Sequence, residues 1–189
     1  MADWSDWALQ LRTLQRMLQL RGYGSVAGIM HGSDPLLVCS ARDPQGALIF
    51  VYFIREHKVG VKTLRRVQAE SEASGCRHCI AVTEDGFTPF ALKELEDPEK
   101  VGGVRVEVFK KRELAFCLMD HVLVPRHELL SPAEKKALLQ KLGAKASHMP
   151  RIKESDAVVR FMHFPPGSVV RIHRSIGSCQ ETYYRLVTA

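Results

Sequence analysis

Two carboxylates and a lysine in the first third of the chain have the residue types and order of a magnesium-dependent nuclease site. Asp34 precedes a predicted strand hairpin, and Glu56 and Lys58 follow its second strand. Carboxylates at adjacent strand ends can bind Mg²⁺, and a lysine beside them can orient a water or stabilise developing charge. The pattern is short and arises often by chance, and residues 55–58 are equally explained as a solvated loop. A nuclease using these three residues is therefore kept as an alternative.

The cysteines are the second candidate for chemistry, because Cys76 and Cys79 have CxxC spacing. A structural zinc site needs about four ligands, and the sequence contains no second CxxC. The pair is better explained by a helix that ends at Gly75 and a buried strand that begins at Cys79. Five cysteines at irregular spacing also form a poor disulfide framework. We therefore expect reduced, partly buried thiols, no metal and no cofactor, in the cytosol or nucleus.

Two histidines, His121 and His127, flank the apolar run Val122-Leu123-Val124-Pro125. Their spacing matches no fixed metal motif, so hydrogen bonds to nearby backbone are the favoured role. A catalytic triad cannot be assembled from spacing alone, because its members meet only in the folded chain. The sequence therefore predicts no catalytic residue in this segment.

Predicted helices and strands alternate over residues 1–112, and these elements must position the candidate nuclease residues and the CxxC cysteines. Apolar residues at helical spacing predict an amphipathic helix from Trp7 to Leu18, with a terminal cap at Gly22. Thr88 is predicted as the cap, and Pro89 as the first residue, of a later helix. The other predicted elements are strands at 36–40, 47–54, 79–83 and 104–109 and helices at 62–74 and 90–96. This alternation predicts a layered α/β domain.

Residues 113–189 predict a smaller α+β domain. Ser131 and Glu134 have the spacing of a capping box around Pro132, and the helix that they start ends at Gly143. Residues 169–174 and 182–187 are rich in strand-forming residues and predict an antiparallel hairpin, with Gly177-Ser178 between its strands. The fold class is therefore α/β in the first domain and α+β overall.

Composition and charge narrow the function classes. With 46% hydrophobic and 25% charged residues, the 189-residue chain has the balance of a soluble globular protein. Its longest apolar run, residues 47–54, is far shorter than the ~20 residues of a membrane span. Basic residues number 16 against 15 acidic ones in residues 1–113, but 11 against 6 in residues 114–189. The net charge of +6 therefore comes mainly from the second domain, which suits an acidic partner or a nucleic acid.

An ordered series of short motifs runs through nearly all of the second domain. It comprises 121–127, 130–136, 149–152, Asp156, Val158, Arg160, Gly167, 169–172, 174–175 and 184–187. In this order the motifs resemble the assembly domain of the fifth subunit of eukaryotic nuclear RNA polymerases and the corresponding small polypeptide of archaeal RNA polymerases. Three landmarks of the first domain, at residues 21–23, 58–63 and 88–89, resemble the jaw domain that the eukaryotic protein carries and the archaeal one lacks.

The chain departs from that family pattern in several places. Ala157 stands where a proline is usual, His163 stands where a glycine is usual, and Pro165-Pro166 replaces a basic pair. The segment after Tyr23 is also shorter than in the usual jaw domain. These differences predict a divergent or paralogous member of the family.

The resemblance implies a non-catalytic structural subunit of a DNA-directed RNA polymerase in the nucleus. Its jaw domain, residues 1–112, would have a nuclease-like topology and project toward downstream duplex DNA. Its assembly domain, residues 113–189, would dock on the largest subunit, beside the other subunits, with transcription factors as further partners. A regulatory adaptor that binds the polymerase substoichiometrically is a second alternative.

The resemblance also assigns roles to individual residues. Thr88 and Pro89 are the residues expected nearest to DNA, where amides at a helix start can contact phosphate. The residues expected to form the subunit-docking motif are His121, Pro125, His127, Pro150, Arg151, Ile152, Asp156, Arg160, Arg171, Arg174, Tyr184 and Arg185.

Overall fold

The computed structural model describes residues 7–24, 27–30, 36–43, 45–96, 103–176 and 179–189. The chain forms two compact units, Met1–Phe116 and Cys117–Ala189. The domain boundary predicted after residue 112 stays a prediction. Among the described residues, no helix combines the length and the apolar character needed to cross a membrane.

The amino-terminal unit is built on a mixed sheet, which in its described part has five strands in the order β1-β2-β3-β4-β5. β1, β2 and β3 pair antiparallel, whereas β3, β4 and β5 pair parallel. Helices α2 and α3 lie in the two parallel crossovers, so the predicted layered α/β fold is confirmed. The elements are α1 (Ala8–Leu20), β1 (Ala27–Met30), β2 (Leu36–Arg42), β3 (Leu48–Ile54), α2 (Val61–Ala73), β4 (His78–Thr83), α3 (Pro89–Glu96) and β5 (Arg105–Lys110).

The central strand β3 carries the core of this unit. Its sequence, LIFVYFI, is buried at every position but the first, as predicted for a short β-branched and aromatic run. On one face, Tyr52 packs in a cluster with Leu64 and Val67 of α2. On the other face, the ring of Phe53 meets that of Trp7 edge to face, with 5.5 Å between centroids. The sheet is therefore covered on both faces.

Turn chemistry fixes the helix ends of this unit where the sequence predicts them. After α1, Gly22 has a φ of +87°, a conformation that costs glycine little and other residues more. At the start of α3, the Thr88 hydroxyl accepts a hydrogen bond from the Ala91 amide at 3.4 Å, and Pro89 is the first helical residue. Both predicted caps are confirmed.

A buried ion pair joins the end of α1 to the edge strand β5. Both Arg21 terminal nitrogens donate to the Glu107 carboxylate at 2.9 Å, and these side chains are only 4% and 12% exposed. His78, on the neighbouring strand β4, places Nε2 2.5 Å from the same carboxylate. The two-point geometry fixes both the position and the orientation of the arginine.

The five cysteines are free thiols. Cys39, Cys76 and Cys79 are buried and Cys117 is half-buried, as expected, but Cys179 is exposed and the expectation is wrong there. Cys76 lies behind the end of α2, and its thiol donates to the Leu48 carbonyl at 3.1 Å. The CxxC pair is thus explained by a helix end followed by a buried strand.

In the folded chain, brief iodoacetamide treatment at pH 8 is expected to modify Cys179 well before Cys39 and Cys79. The thiolate is the reacting species. Burial raises the pKa of both the Cys39 and the Cys79 thiol to about 12, so only ~1 in 10⁴ of either is ionised at pH 8. Peptide mass spectrometry measures the order of labelling, and unfolding in urea should bring the rates together. Equal labelling of Cys39 and Cys179 in the folded chain would contradict the assigned burial.

The carboxy-terminal unit has a sheet whose described strands lie in the order β6-β8-β9-β7. β8 and β9 form the predicted antiparallel hairpin; the Gly177-Ser178 pair predicted to separate its strands lies outside the described residues. β6 pairs antiparallel with β8, and β7 pairs parallel with β9. The sequence did not predict β6, β7 or α5. The elements are β6 (Arg126–Leu129), α4 (Pro132–Leu142), β7 (Arg151–Lys153), α5 (Ala157–Met162), β8 (Val169–Ile176) and β9 (Cys179–Thr188).

The two faces of this sheet bury different helices. Side chains alternate along β8, so Val170 and Ile172 point to one face and Val169 to the other. The first face packs on Val159 of α5, and the second packs on residues of α4. α4 begins as predicted, with the Ser131 hydroxyl accepting from the Glu134 amide and the Glu134 carboxylate accepting from the Ser131 amide at 2.9 Å.

Candidate docking surface of the carboxy-terminal unit

A groove of about 910 Å³ opens on the α5 face of the second sheet. One wall is the loop before β6, and the opposite wall comes from the outer parts of β8 and β9. Its apolar lining residues are Val122, Leu123, Val124, Pro125, Ile152, Val158, Ile172 and Tyr183. Its charged or titratable lining residues are Arg126, His127, Asp156, His173, Arg174 and Arg185.

Two histidines shape the loop wall of the groove. His121 Nδ1 accepts a hydrogen bond from the Leu123 amide at 3.2 Å. His127 Nδ1 donates to the Pro125 carbonyl at 2.7 Å, because a carbonyl oxygen can only accept. The prediction that both histidines bond to nearby backbone is confirmed. As a result, the loop holds Val122 and Leu123 toward solvent, 96% and 84% exposed.

Three arginines line the groove, and Arg126 is paired with Glu128 at 2.6 Å, so the positive charge without an ion-pair partner comes from Arg174 and Arg185. Arg185 donates from Nη1 to the Arg151 carbonyl at 3.0 Å, which orients its guanidinium without neutralising it. Among the described residues, neither Arg174 nor Arg185 forms an ion pair with a carboxylate. Asp156, the acidic residue of the lining, accepts hydrogen bonds from the first amides of α5, with Val158 at 2.9 Å. Its charge is thus already used to cap that helix.

A separate polar network lies on the opposite face of the sheet. Arg171 stacks over the Tyr184 ring at 5.9 Å, and its terminal nitrogens lie 3.5 Å from Glu128 and 3.6 Å from Glu134. The hydrogen bond from His173, more than any other contact, lowers the pKa of Glu128 below its usual value. These groups have partners within the unit and stabilise the sheet, and His173 is the member of the network that also lines the groove.

The expected docking residues therefore divide between places in the unit. Arg171 and Tyr184 lie on the opposite face, His121 lies in the loop, Pro150 and Arg151 lie at β7, and Arg160 lies on α5. Their docking role stays a prediction. Those that line the groove are Pro125, His127, Ile152, Asp156, Arg174 and Arg185.

The sequence did not single out several residues of the groove. Val122 and Leu123 belong to an apolar run that is indistinguishable in sequence from a core strand. Tyr183 alternates with Tyr184 along β9, and only the register of the hairpin decides which ring faces the groove. One feature of the sequence does favour an exposed position: the apolar run 122–124 is followed by a proline, which favours a loop over a strand interior.

The structure does not assemble the nuclease pattern among its described residues. Asp34 lies outside them. Glu56 is half-buried and accepts a hydrogen bond from the Thr63 hydroxyl at 2.7 Å, while Lys58 is exposed. The Glu56 carboxylate is thus hydrogen-bonded to a side chain in the first turn of α2.

At the predicted DNA-proximal position, the Thr88 amide donates to the Val59 carbonyl at 2.9 Å, and Pro89 is exposed. The next residue, Phe90, is 79% exposed. The contact of Thr88 and Pro89 with DNA stays a prediction.

An exposed groove on the small α+β unit suits a protein that works inside an assembly. The family model for the RNA polymerase Rpb5 C-terminal domain matches residues 116–187. Subunit RPABC1 of DNA-directed RNA polymerases I, II and III from Caenorhabditis elegans is 30% identical over 156 residues, 82% of this chain and 71% of that protein. The corresponding Dictyostelium discoideum protein is 32% identical over 152 residues, 80% of this chain and 75% of that protein.

These findings define the class as non-catalytic subunits of DNA-directed RNA polymerases. Within this class, the chain belongs to the Rpb5 family. The family and the non-catalytic structural function predicted from the sequence are confirmed, and the magnesium-nuclease alternative is not supported. Among solved structures, one described as EndoMS in apo form aligns at a TM-score of 0.42 with 13% identity, over 58% of this chain and 47% of that chain.

Proposed function

We propose that this chain docks on the largest subunit of a nuclear DNA-directed RNA polymerase through its carboxy-terminal unit. The observation that carries the proposal is the groove, where Val122 and Leu123 stand exposed beside Arg174 and Arg185. Exposed apolar side chains with a polar rim mark an interaction surface. The unit that bears the groove also bears most of the net positive charge of the chain.

The amino-terminal unit, in the same proposal, forms part of the jaw near downstream duplex DNA. Residues 1–113 hold 16 basic against 15 acidic residues, too small an excess for strong binding to a phosphate backbone. A weak contact through backbone near Thr88 and Pro89 fits this charge and needs the assembled enzyme to hold the DNA in place.

Affinity purification of the tagged full chain from nuclear extract tests the docking proposal. The largest polymerase subunit is expected in the eluate at a one-to-one ratio to the chain, measured by quantitative mass spectrometry. An untagged strain is the control. Recovery of the chain without the polymerase would overturn the proposal. Recovery with the polymerase at a small fraction of one copy would replace it with the regulatory-adaptor alternative.

The DNA side of the proposal is tested on the purified chain alone. Fluorescence anisotropy with a labelled duplex of about 30 base pairs is expected to show weak binding that disappears as salt rises from about 50 to about 200 mM. Tight binding that does not change with salt would contradict the assignment of DNA contact to the assembled complex.

A further inference from the structure

The groove has an apolar floor and an apolar rim that are already in place. Val158 and Ile172 at the floor are each 8% exposed, while Leu123 and Tyr183 at the rim are 84% and 40% exposed. The hydrogen bonds of His121 and His127 hold the rim loop, so little conformational entropy is lost when a partner covers it. The surface is therefore preorganised to bury an apolar side chain.

The charge beside that floor is positive. Arg174 and Arg185 lie on β8 and β9 with no carboxylate partner among the described residues. Two carboxylates lie near these arginines, and neither forms an ion pair with them. Asp156 caps α5, and Glu181, which lies opposite Arg174 in the hairpin, accepts a hydrogen bond from the Tyr183 hydroxyl. An acidic side chain from outside would complement the two guanidinium groups, and electrostatic complementarity of this kind fixes both register and specificity.

The length of the groove limits what fits. Its lining reaches all four strands of the order β6-β8-β9-β7, through His127, Ile172, Tyr183 and Ile152. At ~4.8 Å between strands this is ~14 Å, the reach of about four residues of extended chain. A short extended segment therefore covers it from end to end.

A nucleic acid fits the groove less well than a polypeptide does. Phosphate recognition depends on many aligned cations, and here two unpaired arginines stand among apolar side chains. A phosphate backbone would leave Val122 and Leu123 against charged oxygens and would gain nothing from burying them. A peptide with an acidic residue next to an apolar one satisfies both kinds of surface at once.

We infer that the groove seats a short, extended, acidic segment of another polymerase subunit, with one apolar side chain inserted between Leu123 and Tyr183. This inference rests on the proposed docking function and adds the chemistry of the partner segment. Leu123 and Tyr183 contact the apolar side chain of the partner segment, and Arg174 and Arg185 form ion pairs with acidic residues next to it in that segment.

Site-specific photo-crosslinking in the assembled polymerase tests the inference directly. The photoreactive amino acid p-benzoylphenylalanine is placed at position 123 of the full chain, and a matched chain carries it at position 142. Leu142 is also an exposed leucine, 56% exposed, but lies on α4, which packs on the opposite face of the sheet. Position 123 is expected to crosslink to a polymerase peptide with net negative charge, and position 142 is expected not to crosslink to that peptide. Crosslinks from position 123 to DNA, RNA or a basic peptide, or none, would overturn the inference.

Charge reversal separates this inference from the proposed function. In the variant with both Arg174→Glu and Arg185→Glu, co-purification of the largest subunit at about 150 mM salt is expected to fall at least tenfold. Lys141→Glu, an exposed charge reversal on α4, is expected to stay within twofold of the unaltered chain. The thermal unfolding midpoints of both variants are compared with that of the unaltered chain. If unfolding of the charge-reversal variant explains its lost co-purification, a second variant is needed. Leu123→Ser, a substitution in an exposed loop, must then reduce co-purification while the chain stays folded.

Three results have distinct meanings. Full co-purification of the folded charge-reversal variant would overturn the acidic-segment inference and leave the docking function standing. Full co-purification of folded Leu123→Ser would likewise overturn the inference that an apolar side chain of the partner inserts beside Leu123. Failure of the unaltered chain to co-purify with the polymerase would overturn the docking function, and the inference with it.

Discussion

Replacing Glu107 with alanine is expected to lower the free energy of unfolding of the amino-terminal unit by about 3–5 kcal/mol. The carboxylate holds the Arg21 guanidinium at two points and touches the His78 ring. The Arg21 and Glu107 side chains are 4% and 12% exposed, so water cannot replace the hydrogen bonds that the guanidinium loses when the carboxylate is removed. The loss leaves a buried cation without its carboxylate, which costs far more than an exposed ion pair contributes.

Guanidinium unfolding followed by tryptophan fluorescence measures this effect, because both tryptophans of the sequence fall in the amino-terminal unit. Glu70→Ala is the matched control in the same unit. It removes the pair Arg66–Glu70 on α2, whose side chains are 40% and 41% exposed, and is expected to cost about 0.3–0.5 kcal/mol. Equal shifts for the two variants would show that burial does not strengthen the Glu107 contacts.

Local rules predicted the elements whose ends depend on a few neighbouring residues. The cap at Thr88 and the capping box of Ser131 and Glu134 need only three or four consecutive residues to form, and both are present. The buried strand β3 was predictable because seven consecutive apolar and aromatic residues leave no polar face. The hairpin of β8 and β9 was predictable from two strand-forming runs a few residues apart.

Long-range pairing explains what the sequence did not predict. β7 has three residues, two of them charged, and is a strand only because β9 pairs with it more than thirty residues later. Arg21 and Glu107 are 86 residues apart, so their contact exists only in the folded unit. No spacing rule links such pairs, because each depends on the complete sheet.

The groove shows the same limit at the candidate site. Arg174 and Arg185 reach the same face through the register of the hairpin, in which Arg185 lies opposite Val170, four positions along β8 from Arg174. A shift of one residue would send Arg185 and Tyr183 to the other face. The docking residues expected from the resemblance include Arg174 and Arg185 but not Tyr183, nor Val122 and Leu123, although the last two lie within the motif 121–127. The sequence alone does not distinguish exposed from buried apolar residues.

Replacing Phe53 with alanine is expected to lower the free energy of unfolding of the amino-terminal unit by about 3–5 kcal/mol. The side chain is fully buried on the central strand and packs edge to face on Trp7. Its removal loses the burial of the ring and leaves a cavity that the strands on either side of β3 cannot close. Phe90→Ala is the matched control, since Phe90 is a phenylalanine of the same unit that is 79% exposed, and we expect a change within about 0.5 kcal/mol.

The same pair of variants also separates the roles of the two units. If docking belongs to the carboxy-terminal unit, the Phe53→Ala chain should still co-purify with the polymerase, while limited proteolysis cleaves its amino-terminal unit faster than that of Phe90→Ala. Faster cleavage follows because the equilibrium population of the opened unit rises with the lost stability. Loss of the polymerase from Phe53→Ala, with residues 117–189 still resistant to the protease, would instead assign the docking to the amino-terminal unit.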